Sequence, residues 1–258
     1  FGDPYYEMGT RAFALAANLA SPAANGDAKP TPTTDPPDAR GLLARLTESF
    51  YSNLVQEKRY QLIIDGLRTT VVISIGAALF GTLLGALVCF MRLSHRRALL
   101  WPAQAYIALL RGTPVLVLLM LLFYVVFAAV DVSSVGVAIL AFGMNFGAYV
   151  SEMFRSGIEG IDKGQTEAGI AMGFTPTQTF AYIVLPQMVR RVLPVYKGEF
   201  ISMVKMTSIV GYIAVQDVTK ASDIIRSRTF DAFFPLVMVA VLYFAIAGLL
   251  AQGLDYLE

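Results

Sequence analysis

Runs of about 20 nearly uncharged residues, the length a helix needs to cross a bilayer core, recur along this chain and leave it few ways to fold. In hydrocarbon each backbone N–H and C=O must find a partner inside the protein, which restricts such runs to helices. The first run extends from about Leu67 to Met91 and carries Gly81 and Gly85 at the spacing that lets two membrane helices approach closely. The second is centred on Val115 to Val130, after an amphipathic lead from Leu99 to Leu110. The third covers about Val132 to Phe154, the fourth about Ile183 to Met206 and the fifth about Phe233 to Gln252. Asp131 is the only charge between the second and third runs, so that connection is expected to be a tight turn at a membrane surface. The fourth run contains Lys197, Glu199 and Lys205 and reads either as one span or as two half-helices. The expected fold is all-α, a polytopic membrane protein with about five transmembrane helices.

Composition agrees. Of 258 residues, 56% are hydrophobic and only 15% charged, and the mean hydropathy is +0.59, too apolar for a soluble domain of this size. A net charge of +1 without a long basic tract argues against a nucleic-acid partner. The single cysteine, Cys89, precludes an intrachain disulfide, and a single histidine, His95, set among Arg92, Arg96 and Arg97, reads as part of a solvated basic loop. No transition-metal site of the usual nitrogen and sulfur ligands is expected. The chain has no Gly-Lys dipeptide and therefore no Walker A phosphate loop. No catalytic residue, bound cofactor or metal is assigned to it.

Five of the twelve prolines fall between Pro22 and Pro37 among Thr, Asp and Ala, a composition that suits an extended linker. Residues 1–40 therefore read as an extracytoplasmic tail or tether, 41–60 as an amphipathic lead helix and 61–258 as the transmembrane domain. In the lead, Leu43, Leu46, Phe50 and Leu54 recur at helical spacing against Arg45, Glu48 and Gln56. That face packs either on its own protein or in the membrane interface. Arg11 before the apolar run Ala12 to Ala20 has part of a signal-peptide pattern, which Asp3, Glu7 and Asn18 break. Arg92, Arg96 and Arg97 after the first run, and Arg155, Lys163, Arg190 and Arg191 around the loop between the third and fourth, mark those ends as cytoplasmic. The N-terminus is then outside. Lys220, Arg226 and Arg228 fall on the outer side with Asp217, Asp223 and Asp231, a mixed-charge surface read as solvated, with docking of an extracytoplasmic protein on Asp217, Asp223, Arg226 and Arg228 as the second reading.

The polar stretch from Glu167 to Pro186 lies between two of the apolar runs. Ala168 to Met172 reads as a short helix stopped by Gly173, because glycine reaches the left-handed backbone region without a Cβ clash. A second helix follows with Thr175 as N-cap, Pro176 at the first helical position and Gln178 completing a capping box. The result is a rigid L. Glu167-Ala168-Gly169, three residues, Gly173, nine residues, then Ile183-Val184-Leu185-Pro186 resembles the cytoplasmic coupling loop in the membrane-spanning subunits of ABC (ATP-binding-cassette) importers. Gly169 stands where that family usually has a second alanine, at about 1 kcal/mol of helix propensity. The resemblance implies a type I importer permease, with Glu167, Ala168, Gly169, Gly173, Thr175, Ile183, Leu185 and Pro186 docking on a separate ATPase subunit that binds ATP and magnesium. It also implies a bacterial-type plasma (inner) membrane, an extracytoplasmic substrate-binding protein and, as partner, a second permease copy or close homologue.

Leu110-Arg111-Gly112-Thr113-Pro114, Ala148 to Glu152 ahead of Arg155, and Gly198 to Ile201 followed by Lys205 to Ser208 look like the polar-amino-acid branch of these importers. Some members of that branch have the binding protein fused ahead of the permease, and an outside Pro-rich tether that starts at Phe1 suits such a chain. A charge inside a span costs at least about 2.5 kcal/mol unless paired or wetted. At about 100° per residue, Lys197, Glu199 and Lys205 cannot pair within their own helix, so partners are expected from another element, with Asn145 as one candidate. Asn145, Glu199, Lys205, Thr207 and Ser208 are the candidate translocation pathway, in balance with a role in holding an interface or gate. Gly198 and Ser202 suggest a close helix approach. Arg111, Gly112, Thr113 and Pro114 are a candidate hinge, with pathway lining as the second reading. The rival functions are an ion-gradient-driven secondary transporter, which the loop spacing opposes, an ABC permease for another small solute, and a membrane anchor, which should hold no charge inside a span.

Overall fold

The computed structural model describes Gly41 and residues 47–255; the tail expected over 1–40, and Leu42, Leu43, Arg45 and Leu46 of the lead, lie outside the described residues. The described part of the lead ends in a π turn, Tyr51–Val55, and a single 3-10 turn, Gln56–Lys58. Glu57 and Lys58 both have φ 55, a left-handed kink that reorients the chain into the first long helix. Leu54 packs against Ile63, Ala221 and Ile225, and Phe50 stands edge-on to Phe234 at 6.1 Å. This segment thus lies against its own protein.

Among the described residues, three helices are long and apolar enough to cross a membrane: α1 (Tyr60–Leu93), α4 (Ser134–Glu159) and a C-terminal helix; two bent helix pairs raise the number of spans to as many as five. The first bent pair is α2 (Arg97–Gly112) with α3 (Val115–Leu121), which runs on through a π turn to Val126; the two arms meet at 107°. The turn at Asp131 is as tight as its composition implies, with Val130 N–H donating to Phe127 O at 3.1 Å and Val132 N–H to Val130 O at 2.9 Å. Ser133 then caps α4 by accepting from Gly136 N–H at 3.1 Å. After the loop helices α5 (Lys163–Ala171) and α6 (Pro176–Thr179), α7 (Leu185–Met206) is continuous and extends as 3-10 helix to Ile213. The fourth run is therefore not two half-helices. A 55° bend leads into α8 (Val218–Thr229), followed by α9 (Phe233–Asp255).

α1 and α4 form the backbone of the fold because glycines let their main chains touch. A Cβ on Gly81 would lie 2.6 Å from Gly143 O, and one on Gly85 would lie 2.9 Å from Gly147 O. Gly143 and Gly147 thus supply the matching pair on α4, and small residues at both faces allow the close van der Waals packing that drives membrane helix association. Ile73, Phe142, Phe146, Met203 and Ile213 fill the core around this seam. The opposite face of α1, with Leu79, Leu83 and Leu87 exposed, stays apolar and suits hydrocarbon.

Charged groups gather the basic ends of the helices at one pole. Glu152 accepts from Arg155 Nη2 at 2.8 Å, Arg92 Nε lies 3.4 Å from the same carboxylate, and Arg155 also pairs with Glu159 at 2.5 Å. Arg191 Nη1 donates to Gly160 O at 2.6 Å. The residues that the charge pattern puts in the cytoplasm therefore share one end. At the other pole, Asp217 is fully buried and not solvated as its sequence context suggests: it caps α8 and accepts from Tyr243 of α9.

Candidate functional site

The Glu167–Pro186 loop is built largely as its local signals require. Asp162 opens α5 by accepting from Gly164 N–H at 2.6 Å, so the helix starts at Lys163, earlier than Ala168. It ends with Gly173 at φ +91; Gly173 N–H donates to Ile170 O at 2.9 Å and Phe174 N–H to Gly169 O at 3.1 Å, the paired bonds of a Schellman stop. Thr175 and Gln178 make the reciprocal capping box, with Gln178 N–H on Thr175 Oγ1 at 3.3 Å and Thr175 N–H on Gln178 Oε1 at 2.9 Å.

Gly169 turns out to be the contact point of the two arms. It is buried, and a Cβ there would lie 2.6 Å from Thr179 Cγ2 and 2.9 Å from Ile183 Cδ1. Its helix cost is thus exchanged for a closer L than alanine permits. The loop is anchored to the spans by Gln187 Nε2, which donates to Gln165 Oε1 at 3.1 Å and to Ile183 O at 2.9 Å, and by Phe180, edge-on to Phe90 at 6.0 Å. Glu167 and Ala168 are exposed beside Ile170 (51%) and Met172 (75%). Thr175, Leu185 and Pro186 are also exposed and Ile183 is half-buried. The tip is a small apolar and acidic surface on a braced stalk.

A second feature lies deeper. A cavity of about 500 Å³ is lined by the whole candidate hinge, Arg111 to Pro114, by Asn145 and Tyr149 of α4, and by Glu199, Ser202 and Met206 of α7. The 107° break between α2 and α3 strands carbonyls at the end of α2, and side chains answer two of them: Asn145 Nδ2 donates to Leu110 O at 3.0 Å and Thr113 Oγ1 to Leu109 O at 2.8 Å. Asn145 is thus tied to the hinge, beside the cavity that Glu199 also lines. The Arg111 guanidinium stands 5.0 Å over the Tyr149 ring, a contact worth about 0.5–2 kcal/mol depending on desolvation. Arg111 and Glu199 thus line one cavity with opposite charges, chemistry that suits a dipolar solute.

Of the five candidate pathway residues the cavity unites only Asn145 and Glu199. Lys205 is exposed elsewhere on α7. Thr207 is fully buried, its hydroxyl donating to Val204 O at 2.7 Å. Ser208 lines a separate cavity. Among the described residues nothing comes within 4 Å of a Cβ on Gly198, so the close approach expected there is not made by them. Sequence reasoning missed the Arg111 side chain and Tyr149 as cavity groups; Tyr149 is signalled only by its place one turn after Asn145 on α4.

Replacing Asn145 with leucine leaves Leu110 O without its buried donor. The expected loss is about 1–3 kcal/mol, read as a lower melting temperature of the purified protein, whereas Asn145→Gln should recover part of it. Equal melting for all three proteins would remove the hinge role of Asn145.

Residues 77–257 match the family described as the binding-protein-dependent transport system inner membrane component. The chain belongs to that family. Among the relatives of this inner membrane component, the L-cystine transport system permease protein TcyB of Bacillus subtilis (strain 168) is 34% identical over 202 residues, covering 77% of this chain and 86% of TcyB. The arginine transport system permease protein ArtQ of the same organism is 30% identical over 190 residues, covering 73% and 87%. A crystal structure of an amino acid ABC transporter with histidines superposes with a TM-score of 0.71 at 33% identity, over 79% of this chain and 96% of that one. The inward-facing MetNI methionine ABC transporter shares the fold, with a TM-score of 0.62 at 19% identity over 75% and 96% of the two chains. The architecture is that of type I ABC importer permeases, and the inner membrane component is a multi-pass membrane protein.

Proposed function

We propose that this permease carries polar amino acids inward by alternating access, powered by ATP that a partner subunit binds with magnesium and hydrolyses. The observation that carries the reading is the loop: a Schellman stop and a capping box hold two arms in contact at Gly169, and side chains from α7 and α1 fix them to the spans. A rigid body of that kind transmits displacement, where a flexible loop would absorb it. Exposed Ile170 and Met172 beside Glu167 form the surface that an ATPase groove would take. On this reading the basic pole is cytoplasmic, the N-terminus is outside, and an extracytoplasmic binding protein, separate or fused, delivers the solute. A second permease copy or close homologue completes the passage, two-fold assembly being the common case.

Polar amino acids are favoured as cargo by the substrates for which the relatives TcyB and ArtQ are named and by the inner cavity, where Arg111 and Glu199 offer opposite charges to a carboxylate and an ammonium. The test is uptake of labelled L-glutamine, L-arginine, L-histidine and L-cystine into vesicles holding the permease, its ATPase and its binding protein. Accumulation of at least one that requires internal ATP is expected. Accumulation that ignores ATP and follows an imposed ion gradient would overturn the proposal.

A further inference from the structure

At the pole opposite the loop lies a second polar cavity, of about 330 Å³, that the coupling and inner-cavity reading leaves without a task. Ser208, Gly211 and Tyr212, from the 3-10 extension of α7, form one wall, and Thr219, Lys220 and Asp223 of α8 form the other. The second wall is held by a buried scaffold. Asp217 accepts from Lys220 N–H at 2.9 Å, from Thr219 N–H at 3.1 Å and from the Tyr243 hydroxyl at 3.0 Å. Its carbonyl presses on Gly66 of α1, where a Cβ would come within 2.6 Å. Contacts from α1 and α9 thus fix the first turn of α8 and, with it, the origin of the Lys220 side chain.

The charge pattern repeats that of the inner cavity. Lys220 and Asp223 are three residues apart on α8, neighbours on one helix face, as Arg111 and Glu199 are across the inner space. Asp223 also pairs with Arg226 at 3.1 Å, both half-exposed to water, where such a pair is weak enough to yield to a competing cation. The two cavities open on successive stretches of one segment: α7 lends Glu199, Ser202 and Met206 to the inner, and its extension lends Ser208, Gly211 and Tyr212 to the outer. Met203, Thr207 and Val210 of the same segment are buried to 1% exposure or less.

Resting on the transport reading, we propose that the outer cavity is a holding site for the dipolar head of an α-amino acid, occupied before the passage to Glu199 opens. Lys220 takes the carboxylate, Asp223 the ammonium, and the Ser208 hydroxyl completes the set. Gly211 leaves the space: a Cβ there meets Lys220 Cδ only at 3.6 Å, ordinary contact, so a side chain fits without strain and fills the site.

The test is thiol labelling of a Tyr212→Cys reporter, which lines the cavity without belonging to the binding set, in a Cys89→Ala background, in the complete transporter with ATPase and binding protein. The probes are L-glutamine, L-arginine and L-histidine, with the N-acetylated amino acids as controls. At about ten times its dissociation constant, a transported amino acid should slow labelling about tenfold, and the N-acetyl form should not. Lys220→Gln and Gly211→Leu should each remove the protection, while Glu199→Gln, which acts on the inner cavity, should leave it. Unchanged labelling with an amino acid that the wild-type complex transports would overturn the proposal. So would protection that vanishes with Glu199→Gln and survives Lys220→Gln. A wild-type complex that accumulates none of the four amino acids of the uptake test in an ATP-dependent way would instead overturn the transport reading, and this inference with it.

Discussion

A Gly173→Val permease is expected to insert and fold, yet to lose ATP-driven uptake by about tenfold or more. Gly173 has φ +91 and, among the described residues, no atom within 4 Å of where a Cβ would stand, so the penalty is conformational and does not come from crowding. A β-branched residue forced into that region costs about 1–3 kcal/mol, and the chain escapes the cost by giving up the Gly173 and Phe174 bonds that stop α5. The damage stays in the loop, far from the glycine seam between α1 and α4. Because a tenfold change corresponds to about 1.4 kcal/mol, even the lower part of that range is visible in a coupled assay. The measurement is uptake with and without ATP, alongside recovery of the ATPase with the purified permease. Asparagine, which tolerates the left-handed region better, should lose less than valine. Normal uptake by the valine variant with normal assembly would show that this turn does not carry coupling.

Gly85→Leu should be worse and should fail at a different step, by preventing a stable permease from accumulating. A Cβ at Gly85 would already lie 2.8 Å from Val150 Cβ and Cγ1 and 2.9 Å from Gly147 O, and leucine adds three further carbons to that contact. Backbone cannot rotate aside as a side-chain tip can, so α1 and α4 must separate along the seam that organises the fold. Overpacking a core costs typically about 1–3 kcal/mol and occasionally more, and total stabilities of about 5–15 kcal/mol leave little reserve. Gly198→Leu is the contrasting variant, because among the described residues nothing comes within 4 Å of a Cβ there. Thermal melting of the purified proteins compares the two: Gly198→Leu should match wild type in the isolated subunit, and a Gly85→Leu protein with an unchanged melting temperature would refute the packing argument.

The two variants also divide what was legible before any coordinates. The Gly173 stop and the Thr175, Pro176 and Gln178 start are local devices whose partners lie within a few positions, and both form as read. The Gly81 and Gly85 spacing announced a close approach but not its partner, since Gly143 and Gly147 are found only when α4 is laid against α1. Gly169 was legible only as a weak helix former; its contact with Thr179 and Ile183 depends on how the second arm folds back. Asp217, a charge in a mixed polar loop by sequence, is a fully buried cap because three helices converge on it.

Sequence by itself determined the class of molecule, the number and approximate limits of its apolar runs, the gathering of basic residues at one pole and the conformation of the Glu167–Pro186 loop. These depend on hydrophobic run length, charge and capping, which act over one or two helical turns. Tertiary structure alone decided that Arg111, Asn145, Tyr149 and Glu199 share a cavity, that Lys205 and Thr207 do not, and that Ser208 faces a second one. The physical reason is rotational phase. A 107° break between α2 and α3, and the passage of α7 from α to 3-10 geometry at Thr207, reset where each following side chain points, and no local pattern records the angle.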